Sequence, residues 1–180
     1  MKSRGAILAL AVVAIALTPL TSMAGQAQAA SQADTTQGYT IVQFAPPSST
    51  IGSSGASVSP LVLNPNCSVR VDWPHISTTV TPKAVKVNAT ATCTNGSIFN
   101  QVTVNVQLWK TGALWDYLQA STSLSNTFVY SFSNQATWKY CANSTQSTFY
   151  GITTATATID GVAGWYAYDR SPNTSLPCGT

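Results

Sequence analysis

The chain has 180 residues, of which only 7% are charged, for a formal net charge of +3 at pH 7. Two of the eight basic residues, Lys2 and Arg4, sit at the very start; the other six oppose five aspartates, and glutamate is absent. Six scattered cations cannot make the clustered Lys/Arg surface that reads nucleic-acid phosphates, so that class of partner is excluded.

Behind Lys2 and Arg4 runs an uncharged apolar stretch, residues 6–20, broken by Pro19. Ala27-Gln28-Ala29 then offers the small residues a signal peptidase recognises. Residues 1–29 therefore read as a removable export signal. The apolar stretch is shorter than the ~20 residues a spanning helix needs, and no second one follows, so no membrane span is expected after processing. The expected location is extracellular or associated with the cell wall.

Residues 30–66 read as a flexible leader rich in Ser, Pro and Gly, with Pro46-Pro47 and Gly52-Ser53-Ser54-Gly55. Such composition buries too little apolar surface to offset ordering entropy. Residues 39–44 and 58–63 are its two short apolar runs, each able to dock as an edge strand.

A single domain is expected over residues 67–180. From Cys67 onward, alternate residues are apolar: Cys67, Val69, Val71 and Trp73 share one parity, then Val85, Val87, Ala89, Ala91 and Cys93, then Val102, Val104, Val106 and Leu108. Period-two alternation marks half-buried strands. Lys110-Thr111-Gly112-Ala113 turns the chain, residues 114–118 return, and residues 128–132 and 148–159 are further strands. About seven short strands with regularly spaced turns predict an all-β fold, an antiparallel immunoglobulin-like β-sandwich.

The first two alternating segments also predict a register. A hairpin centred near Val80 sets Val69 against Ala91, Val71 against Ala89 and Trp73 against Val87, and it brings Cys67 opposite Cys93. Cys141 and Cys178 then fall toward the other end. Four cysteines in an exported chain predict two disulfides: Cys67–Cys93 and Cys141–Cys178. The alternative joins Cys93 to Cys141 across the sheets, as in antibody domains. No C-x-x-C pair or Cys/His cluster is present, so no metal or cofactor is expected.

The segment Cys67-Ser68-Val69-Arg70-Val71-Asp72-Trp73-Pro74-His75-Ile76-Ser77, followed by Val85-Lys86-Val87-Asn88-Ala89-Thr90-Ala91-Thr92-Cys93, resembles a group of small secreted actinobacterial proteins of unknown function. Leu108-Trp109-Lys110-Thr111-Gly112, Cys141 and Tyr150-Gly151 resemble later elements of that pattern. The chain departs from it at Pro82-Lys83-Ala84, where the group has Pro-Gly. The resemblance implies export and a β-fold, and it carries no activity.

Asp72, His75 and Ser77 form the tempting chemical cluster, because His75 is the only imidazole. A nucleophilic hydrolase needs such groups in mutual hydrogen-bond reach, but no G-x-S-x-G elbow is present. Asp72 and Ser77 read better as turn residues. Five isolated aspartates offer no acid/base pair for glycoside hydrolysis. The reading leans away from an enzyme.

Aromatic residues give the binding expectation. Trp109, Trp115 and Tyr117 flank one turn, and the parity of Trp109 points it outward. Exposed rings stack on sugars or anchor protein partners at low entropic cost. The expected function is a secreted, non-enzymatic module that binds cell-wall polysaccharide or a secreted protein. The alternative is an inhibitor or effector acting through a disulfide-braced loop.

Overall fold

The structure, a computed structural model, describes residues 38–47, 65–77 and 79–180. Within them lie ten strands and no helix: β1 (Tyr39–Gln43), β2 (Cys67–Asp72), β3 (His75–Ile76), β4 (Ala84–Cys93), β5 (Phe99–Lys110), β6 (Tyr117–Val129), β7 (Ser131–Tyr140), β8 (Asn143–Ile159), β9 (Val162–Arg170) and β10 (Thr174–Gly179). The export signal and the run at residues 58–63 lie outside the described residues.

All pairings are antiparallel. One sheet runs β1–β2–β4–β7, with the short β3 following β2 along the same side of β4. The other runs β6–β5–β8, and the far side of β8 is shared by β9 and β10. The inward parities read from the sequence are buried except for Trp73, which is half-buried: Val69, Val71, Val85, Val87, Val102, Val104, Val106 and Leu108 form one core between the sheets. Phe44 and Phe99 meet edge-on in that core, with centroids 5.6 Å apart.

The β2–β4 register is the expected one, with Cys67 opposite Cys93, Val69 opposite Ala91 and Val71 opposite Ala89. The disulfides are Cys67–Cys93 and Cys141–Cys178. They brace opposite ends of the sandwich, because Ala84, at the far end of β4 from Cys93, pairs with Tyr140.

Several expectations need correction. Trp73 does not face Val87 in the ladder. Pro74 has no N–H to donate, and pairing resumes at His75–Lys86, one residue out of step. The run at residues 39–44, by contrast, docks as the edge strand it was expected to be able to form: β1 pairs with β2 along its whole length, and Val42 and Phe44 are buried. Strands β5, β6 and β8, with 12, 13 and 17 residues, are longer than expected. Finally, β1, β2 and β4 occupy one sheet, whereas antibody domains place strands A and B in one sheet and C in the other. The shared features are the two antiparallel layers and the disulfide bracing.

The two long sides of the sandwich differ. On one, Ala45 and Tyr166 exchange backbone hydrogen bonds of 2.7 and 3.1 Å, joining the end of β1 to β9, and the Thr40 hydroxyl donates to the buried Asp169 carboxylate. On the other, β6 and β7 lie on different sheets and are joined through side chains. Asn134 Nδ2 donates to Val104 O (2.9 Å) and Thr122 O (3.1 Å), and Thr137 Oγ1 donates to Val106 O (3.3 Å).

Candidate functional site

The candidate site lies at the end of the sandwich where β5 turns into β6. Trp109 is the last outward residue of β5, and its Cα partner on β8 is Tyr150. The two rings are nearly parallel, 3° apart in plane with centroids 6.2 Å apart. The Arg170 guanidinium, from β9, stands 3.8 Å over the Tyr150 ring, a cation–π contact. Trp109 Nε1 donates to Gln107 Oε1 at 3.0 Å, two residues along the same face. Three neighbouring strands thus build one outward cluster of Trp, Tyr and Arg.

The connecting loop folds back against this cluster. Tyr150 Oη donates a 2.9 Å hydrogen bond to Asp116 Oδ2. Burial raises the Tyr150 phenol above its ordinary pKa of 10.0, the bond to Asp116 and its charge raise it further, and Arg170 opposes them. Tyr117 packs on Gly112, where an added Cβ would fall 2.5 Å from the ring and 2.1 Å from Trp115 O. Glycine is therefore required for this tight return. Beneath the loop, Lys110 Nζ donates to the Thr180 main-chain oxygen at 2.8 Å.

The three residues singled out in the sequence meet this cluster differently. Trp109 is half-buried on the outer face, as its parity predicts. Trp115 is 72% and Tyr117 53% exposed, with Leu114 at 82% beside them. Trp109 and the loop converge on Tyr150, which touches Trp109 on one side and Asp116 on the other. The sequence reading missed Tyr150, Arg170 and Asp116, since their meeting depends on β5–β8 and β8–β9 pairing.

Outward from Trp109, the face of this sheet is a lattice of hydroxyls and amides. Asn105 lies between Ser123 and Thr154, and Thr103 between Ser125 and Thr156. Tyr168 and Tyr166 border it on β9. Both are more than a third exposed.

The His75 cluster is not assembled. His75 Nδ1 lies 2.9 Å from Trp73 O. Asp72 accepts from Arg70 Nε at 2.9 Å and from Asn88 Nδ2 at 3.4 Å, and Ser77 Oγ pairs with Thr79. Each group is hydrogen-bonded within local structure, and no hydrogen bond joins His75 to Asp72 or Ser77. Neither disulfide closes the loop between Trp109 and Trp115. Among the described residues, no group of three or more His, Cys, Asp or Glu could hold a metal ion, and no helix is long and apolar enough to cross a membrane.

Comparison of the chain with protein families, with curated proteins and with solved structures finds no match.

Proposed function

We propose that this chain is an exported, non-enzymatic recognition module that binds a polysaccharide of the cell envelope with its β5–β6 end. Residues 1–29 serve as the export signal, and the two disulfides fit a protein that works in an oxidising compartment. The observation that carries the reading is the exposure of Trp115 and Tyr117 beside a fixed Trp109–Tyr150–Arg170 layer. Sugar rings offer apolar C–H faces to aromatic planes, while their hydroxyls seek amide, carboxylate and guanidinium partners. Gln107, Asp116 and Arg170 supply those groups within the same cluster.

The test is retention of the processed protein on insoluble cell-wall polysaccharide. Replacing Trp115 and Tyr117 together by Ala is expected to lower retention at least ~10-fold, as loss of a stacking anchor worth about 1.5 kcal/mol or more would. Equal retention of the double variant refutes the reading.

A further inference from the structure

We propose that the polysaccharide lies as an extended chain along the outer face of β8 and β9, so that the protein holds several consecutive neutral sugars of it. This inference rests on the glycan reading of the β5–β6 end and lengthens that patch into a track. The observation behind it is a second aromatic row. Tyr168 and Tyr166 follow Arg170 at two-residue steps on β9, opposite Thr154 and Thr156 of β8. They share an outward face with Trp109 and Tyr150, because the register of β8 is unbroken from Tyr150 to Thr156.

Neither ring is occupied within the protein. Among the described residues, no second ring stacks on Tyr166 or Tyr168 and no guanidinium covers them. Trp138 and Tyr140, in contrast, meet each other edge-on with centroids 4.6 Å apart, and Tyr39 lies under Arg70 at 4.1 Å. Successive outward residues of a strand lie ~6.8 Å apart, so the three steps from Tyr150 to Thr156 carry the track about 20 Å, room for about four extended sugar units. At the far end, two residues before Tyr166, Pro47 covers Gly164, where a Cβ would stand 2.9 Å from the proline.

The chemistry beside the rings selects the occupant. Asn105 of β5 lies against Thr154, and Thr103 against Thr156, with no charge among them. Amides and hydroxyls at a regular pitch suit the hydroxyls of a sugar chain, while the neighbouring rings take its C–H faces. A protein partner would need an apolar core to dry the contact. The aliphatic side chain in this stretch, Ile152, is half-buried between Gln107 and Arg170. A polyanion would need clustered cations, and among the described residues Arg170 stands alone on the track.

Competition by sized fragments tests this. Partial acid hydrolysis of the insoluble cell-wall polysaccharide gives soluble fragments of about two and about six sugar units, shorter and longer than the track. Each is titrated against retention of the processed protein on that polysaccharide. The longer fragment is expected to compete at a concentration at least ~10-fold lower than the shorter one, and Tyr166→Thr with Tyr168→Thr to cut that advantage below ~3-fold. Threonine matches the neighbouring face and keeps a strand-favouring side chain. If far-ultraviolet circular dichroism shows that this double variant does not fold, Thr156→Lys decides: it lays a long side chain across the track beside Tyr166 and is expected to give the same loss. Equal competition by the two fragments, or a length advantage that survives in the folded variant, overturns the track and leaves the β5–β6 site in place. A wild type that is not retained at all, or is retained equally without Trp115 and Tyr117, refutes the site itself and the track with it.

Discussion

The phenol of Tyr150 reaches out from β8 to hold Asp116, on the loop that follows β5, at 2.9 Å. This single bond ties the exposed end of the molecule to its rigid sheet. It also makes the mooring depend on the protonation of one group.

Burial first, and then Asp116, raise the Tyr150 pKa in the folded state above 10.0. The folded protein therefore retains a proton that the unfolded chain has released. The associated stability is fully present below pH ~10 and declines as pH rises through the folded-state value. Denaturant midpoints across that window are expected to fall more steeply for the wild type than for Tyr150→Phe. Tyr166 is raised by its own burial and by Tyr168, so it contributes equally to both proteins and cancels in the comparison. Identical slopes for the two proteins would show that Tyr150 is not the group responsible.

Asn134 is fully buried at the open side, where its amide serves Val104 O and Thr122 O while its oxygen accepts from Thr122 Oγ1 and Ala136 N. Truncating it to Ala removes those partners and leaves buried groups unsatisfied, at a cost of about 2 kcal/mol. Urea unfolding is expected to report that loss. Amide exchange should quicken in β6 and β7 more than in β2 and β4; a uniform effect on all strands would contradict the clamp.

Phe128 adopts a left-handed backbone with φ of 53° while its side chain is 73% exposed. An aromatic residue in that region costs ~1–2 kcal/mol relative to ordinary conformations, and glycine has no such penalty. Phe128→Gly is expected to gain a net 0.5–1 kcal/mol, about half of the relief being offset by chain entropy. A lower melting temperature for the variant would mean that the ring supplies contacts outweighing the backbone cost.

How much was legible in the sequence depended on which surfaces each strand buries. Strands β2, β4 and β5 bury one face and expose the other, so their alternation revealed even the Cys67–Cys93 register. β6 has little buried on either face, and its Ser- and Thr-rich middle carries no periodic signal, so most of it passed unnoticed. Asn134 and Thr137 point inward against the usual polarity because they bond backbone carbonyls of the opposite sheet. Trp109 was placed on its outward face by parity alone. Its neighbours Tyr150 and Arg170 are 41 and 61 residues away in the chain, and they are brought there by pairings that no local pattern announces.

The contrast between the sandwich's two long sides gives it a direction of opening. Where Ala45 meets Tyr166, parting the layers means breaking main-chain bonds; at β6 and β7 it means undoing the contacts of a few amides and hydroxyls. That side is nonetheless fixed at two points, where the chain crosses between the layers at Tyr130 and where the Cys141–Cys178 disulfide joins the end of β7 to β10, so any loosening there is a bowing of the stretch between them.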